Sequence, residues 1–150
     1  SGYVVEVLFQ ASFPASKPNG DRLGWSISRE RIPDILIVEH NDTSCHSLIL
    51  DAKWRSGRAS VLEAMESAHI YHDSLRLRSG QVAEAPSHCI LLLPGAKDVP
   101  SLSESSFINT HGVGAIAEFL PHGAGVAFLT ALLQDWLTSP RVVGGSGMSV

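Results

Sequence analysis

Two short apolar runs, Ile35-Leu36-Ile37-Val38 and Leu48-Ile49-Leu50, stand on either side of the polar stretch Asn41-Asp42-Thr43-Ser44. Branched runs this short, parted by turn-forming residues, specify two strands of a hairpin rather than one helix. A turn centred between Asp42 and Thr43 sets Asp34, at the start of the first run, opposite Asp51, at the end of the second. Asp51 and Lys53 are two residues apart and so share a strand face. Three charged groups then converge at one end of a sheet. Buried charge is costly unless it is paired or binds a metal.

Those residue types suit one chemistry. Two carboxylates are hard oxygen ligands for Mg²⁺, which keeps several waters and also takes a substrate phosphate. Such a metal polarises a phosphoryl oxygen and lowers the pKa of a bound water. A lysine beside it orients the attacking water and offsets charge developing in the transition state. Asp34, Asp51 and Lys53 are the candidate catalytic residues. Asp34, Asp51 and the carbonyl of Ala52 are the candidate ligands for Mg²⁺ or Mn²⁺.

Pro33-Asp34 followed by Asp51-Ala52-Lys53 resembles the signature of the PD-(D/E)xK nuclease superfamily. Downstream, His69-Ile70-Tyr71-His72-Asp73-Ser74-Leu75 is similar to the His-x-Tyr-Arg-Asp-Ala motif of its McrC-like branch, with His72 where an arginine is usual. The likeness covers roughly residues 3–120. It implies an α/β, restriction-endonuclease-like fold, a mixed central β-sheet flanked by α-helices. It also implies a metal-dependent DNA endonuclease of a modification-dependent restriction or defence system, working with a nucleotide-hydrolysing motor subunit. His69, Tyr71 and Asp73 would support the site from a helix, with Asp73 anchoring an arginine. Many members of the superfamily carry a glutamate on a helix ahead of the first strand. This chain starts with an apparent strand, so the resemblance implies the C-terminal nuclease part of a longer protein.

Each signal has a plainer reading. Asp34 could cap a loop after a turn proline, and Asp51 with Lys53 could form an ion pair on an edge strand. The apolar run before Asp51 favours a central strand. Glu39 falls on the opposite face and reads as solvated. His69 and His72 could grip zinc, but no third ligand has suitable spacing. Arg55 and Arg58 follow the motif and suit phosphate contacts in DNA, or simply a solvated helix start. Two other functions remain in play: a catalytically inactive interaction or assembly module, and a nuclease acting on RNA or branched DNA, since a fold does not fix a substrate.

The net charge of −4 argues against a self-sufficient DNA binder. Seven of the eleven basic residues lie between Arg29 and Arg78, but eight acids share that window, so most DNA affinity falls to a partner. No apolar stretch reaches membrane-spanning length. No charged-then-apolar leader precedes a cleavage site, which predicts a cytoplasmic protein. Cys45 and Cys89 lack metal-type spacing and read as buried thiols, with one disulfide the alternative. There is no P-loop, no dinucleotide-binding glycine fingerprint and no Gly-x-Ser-x-Gly elbow.

The remaining pattern predicts a single domain over residues 1–142 and a flexible tail over 143–150. A first strand runs over 3–10, with Val5, Val7 and Phe9 alternating against Glu6 and Leu8. Residues 11–30 read as a loop with a short strand at Trp25–Ser28. A helix spans Ser60 to Arg76, with Ser60 as N-cap, Glu63 as capping-box partner and Gly80 near its end. A strand follows at His88–Leu93, then a polar loop over 96–110, a strand at Val113–Leu120 and a helix at Phe128–Leu137.

Overall fold

The hairpin forms as its apolar runs require. In the computed structural model, which describes residues 2–17, 22–79, 82–95 and 98–140, β3 (Ile35–His40) and β4 (Cys45–Ala52) pair antiparallel. Ile35 lies opposite Leu50 and His40 opposite Cys45. Asn41 closes the loop: its Oδ1 accepts the amides of Thr43 at 2.9 Å and Ser44 at 2.8 Å. A short side-chain acceptor supplies what the turning backbone lacks. One more step of this register sets Asp34 opposite Asp51, as the turn position predicts.

The hairpin sits inside a larger sheet. β1 (Val4–Phe9) pairs antiparallel on the outer side of β3, while β7 (His88–Leu92) and β8 (Val113–Ile116) continue parallel beyond β4. Parallel strands need both faces covered. α1 (Arg58–Ser74) covers one face: Val61, Ala64, Met65 and Ala68 pack with Leu36, Val38, Ile49 and Leu91. α3 (Ala124–Thr138) covers the other, where Trp136 packs with Ile37, Leu50, Ile90 and Ile116. The chain is therefore an α/β fold with a mixed central sheet flanked by helices. Among the described residues no helix is long and apolar enough to cross a membrane.

A second, three-stranded sheet adds to the α1 side, in the order β2 (Gly24–Ser26), β5 (Leu75–Ser79), β6 (Val82–Glu84). It shortens the expected helix. α1 ends at Ser74 because Leu75-Arg76-Leu77-Arg78 alternates with the period of a strand and buries both leucines. The helix also starts earlier than expected. Gly57 is the N-cap, with φ 78°, and no side chain caps the helix, so Ser60 and Glu63 form no capping box. The segment read as a polar loop holds a 3₁₀ turn at Pro100–Ser103 and α2 (Ser105–His111), which buries Ile108. β8 is shorter than the strand expected over Val113–Leu120. Gly80 and the tail over 143–150 lie outside the described residues.

β1 turns the three alternating apolar residues outward. Val5, Val7 and Phe9 are exposed, Phe9 at 74 %, and Leu8 is the residue that packs on the core. α3 does not reach far enough across the sheet to cover this edge. Glu39 does lie on the face opposite Asp34, but it is buried, not solvated. Cys45 and Cys89 are free, buried thiols, and burial raises both above the ordinary thiol range, Cys45 to about 11.

Candidate functional site

Strand alternation decides which side chains meet. Asp34 alternates with Leu36 and Val38, and Asp51 with Ile49, so both acids turn to the α1 face. Lys53 follows on that face. Its amide donates to the Leu92 carbonyl at 3.0 Å, which carries the β4–β7 pairing past the end of β4. The three residues that the sequence singled out are therefore brought together at one end of the central sheet.

Two contacts hold them. The Ala52 amide donates to Asp34 Oδ2 at 3.0 Å, which fixes that carboxylate beside β4. Lys53 Nζ lies 2.8 Å from Asp51 Oδ2. Asp51 is only 3 % exposed. The buried carboxylate is thus paired with an ammonium at contact distance. Burial raises the Asp51 carboxyl above its ordinary range. The Lys53 ammonium acts against that rise, and the adjacent Asp34 carboxylate adds to it.

The helix contributes one residue of the three expected. Tyr71 is half-buried against the core, and its hydroxyl is pushed up to about 12, first by burial and then by the charges of Asp51 and Asp34. No hydrogen bond joins it to either carboxylate, so its influence is through space. His69 is exposed. Two residues on a helix lie about 200° apart, so His69 and Tyr71 cannot face the same site. Asp73 is also exposed, and its carboxylate meets His72 Nδ1 at 3.2 Å. The nearby Arg76 donates to the Asp73 backbone carbonyl at 2.8 Å. His72 packs towards Gly112, where an added Cβ would stand 2.8 Å from its Nε2.

Arg55 and Arg58 are exposed on the segment that leaves β4, and the one ion pair of Arg55 among the described residues is a loose 3.9 Å contact with Glu63. Sequence reasoning passed over two residues nearby. Trp54, between Lys53 and Arg55, is 85 % exposed. Arg31 lies close enough to Tyr71 for its charge to lower the phenol pKa, and its Nε is buried without a partner. The signal for Trp54 was present: a large aromatic among basic residues directly after the motif. Nothing in the sequence marked Arg31, because a two-residue bridge with Phe13 positions it. A cavity of about 340 Å³ lies elsewhere, lined by Ser87, His88, Asn109 and Trp136, at the opposite end of β7 from Leu92.

Among the described residues no group of three or more His, Cys, Asp and Glu side chains could hold a metal ion. The two carboxylates still fit Mg²⁺, which takes few protein ligands and fills its remaining positions with water and phosphate. The adjacent Asp34 and Asp51 carboxylates carry one charge more than Lys53 neutralises, which such a cation would offset. No family model matches the chain, and neither the curated proteins nor the solved structures hold a match to it.

Proposed function

We propose that this chain is a metal-dependent endonuclease domain that hydrolyses DNA phosphodiester bonds. The supporting observation is the convergence of Asp34, Asp51 and Lys53 on one face, with the Asp51 carboxylate buried and paired to Lys53 at 2.8 Å. One ammonium against two adjacent carboxylates leaves the cluster net negative, a charge that a bound cation would offset. Asp34, Asp51 and the Ala52 carbonyl would hold Mg²⁺ or Mn²⁺. When bound, the ion supplies Lewis-acid polarisation of a phosphoryl oxygen and a water of lowered pKa. Lys53 would orient the attacking water and offset the charge that gathers on the phosphoryl oxygens as the leaving oxygen departs. The Tyr71 hydroxyl, protonated at neutral pH, would serve as a donor near the same charges. The net charge of −4 fits a domain whose DNA affinity comes from a partner, such as a nucleotide-driven motor.

The 2.8 Å contact between Lys53 and Asp51 favours one other reading. In an inert assembly module the lysine would do no more than neutralise a buried acid. Incubation of the chain with plasmid DNA in Mg²⁺, Mn²⁺ and EDTA separates the two. Metal-dependent nicking that is lost in Asp51→Asn supports the nuclease. Parent and variant alike inert, with Asp51→Asn more stable and no Mn²⁺ bound by the parent, would leave the module reading standing.

A further inference from the structure

The segment after Lys53 is built to present an aromatic ring. The Arg55 amide donates to the Lys53 carbonyl at 2.9 Å, which closes a three-residue turn with Trp54 at its apex. The turn throws the indole outward, to 85 % exposure, with no ring, cation or hydrogen-bond contact among the described residues. An exposed indole offers a flat apolar face to a partner. Its surroundings say what kind. From Ala52 to Leu62 the chain holds three cations, Lys53, Arg55 and Arg58, of which Lys53 is paired with the buried Asp51. Arg58 has no ion pair among the described residues, and Arg55 has only the 3.9 Å contact with Glu63. Beyond Trp54, Gly57 at φ 78° turns the chain into α1, and Arg55 and Arg58 on either side of it are both exposed.

We infer that residues 53–58 form a platform for an unpaired nucleic-acid strand, with a base stacked on Trp54 and the flanking phosphates met by Arg55 and Arg58. An indole stacks on the face of a base, and those faces are available only where the strand is single or a base is out of the stack. A protein partner would also cover an exposed tryptophan, but the exposed Arg58, without an ion pair among the described residues, and the loosely held Arg55 complement a polyanion. The platform lies directly after Lys53, so it would feed an unpaired strand to the carboxylates. The inference rests on the nuclease reading and narrows its substrate to single-stranded or distorted DNA.

Intrinsic fluorescence tests it with the whole chain. Trp136 is buried and Trp25 half-buried, so Trp54 is the indole most open to quenching. The chain is titrated with a twelve-residue oligo(dT) and with a hairpin duplex of matched length, in low salt with Ca²⁺. Oligo(dT) should quench the emission and bind more tightly than the duplex. The quench should vanish in Trp54→Ala, with affinity weakened about tenfold or more, and Trp54→Phe should recover most of the affinity. Trp54 packs on nothing, so circular dichroism of these variants should match the parent. Equal binding of duplex and oligo(dT), or binding unchanged by Trp54→Ala, overturns the platform; metal-dependent plasmid cleavage in the same preparation would then leave the nuclease reading intact. Neither binding nor cleavage sinks both.

Discussion

The Ala52 amide donates to Asp34 Oδ2 at 3.0 Å, so a proposed metal ligand on one strand is tied to the backbone of the strand that carries the other. The bond separates two roles of Asp34. Asp34→Asn keeps an acceptor for the amide and loses the charge. Asp34→Ala loses both. Urea unfolding should place Asp34→Asn within about 0.5 kcal/mol of the parent and Asp34→Ala about 1–2 kcal/mol below it. Mn²⁺ binding, followed by calorimetry, should fail in both.

The raised pKa of Asp51 gives stability a definite pH slope. The native state holds this proton more tightly than the unfolded chain does. The associated stability is fully present below the ordinary carboxyl range and is lost as pH rises through the raised native value. Unfolding free energy should therefore carry a falling component from about pH 4 upward. Asp51→Asn, which cannot ionise, should lack that component and be more stable than the parent at neutral pH. Mn²⁺ should restore stability to the parent at neutral pH and not to Asp51→Asn.

Asp51 and Lys53 should fail differently in catalysis. Asp51→Ala removes a proposed ligand, so both Mn²⁺ affinity and cleavage should fall. Lys53→Ala should still bind Mn²⁺, since it leaves both proposed carboxylate ligands in place. Its cleavage rate should drop on the order of 100-fold or more, as when a donor to transition-state charge is lost. Single-turnover cleavage beside metal titration reads both quantities. Undiminished cleavage by both variants would assign the activity to another component.

Tyr71 should matter without titrating. Its hydroxyl, held at about 12, stays protonated across the working range. Tyr71→Phe should slow cleavage by about tenfold or less, a figure in keeping with one neutral hydrogen bond. The shape of the rate profile between about pH 6 and 9 should be unchanged, since no group that titrates there is removed. A shifted profile would mean that Tyr71 tunes Asp51 instead.

What the sequence disclosed depended on how local each cause was. The hairpin, its register and the shared face of Asp34, Asp51 and Lys53 follow from two apolar runs and an asparagine turn, all within twenty residues. Leu75-Arg76-Leu77-Arg78 was legible as a strand in principle, but the helical pattern before it was carried two residues too far. α2 hid in a polar segment because so short a helix needs little more than Ile108 turned inward. His69 was assigned by motif, and motif spacing carries no facing; the helix turns it to solvent while Tyr71 turns in. Nor could the sequence show that Val5, Val7 and Phe9 are uncovered, because that depends on how far α3 extends across the sheet.

The two halves of the acidic cluster are built on different clocks. Asp34 and Asp51 meet through a hairpin closed by four loop residues, an event of roughly 1–10 μs. The parallel strand β7, whose Leu91 pairs with Asp51 and whose Leu92 holds the Lys53 amide, arrives only after α1, β5 and β6 have been threaded between. Parallel pairing across so long a crossover is slow, because the closure entropy is lost before the contacts form. On that order a chain part-way through synthesis would bring both carboxylates together before β7 covers them, and taking charge out of solvent would fall late in its assembly. A cation that met the pair in that interval would be enclosed by the strand that follows.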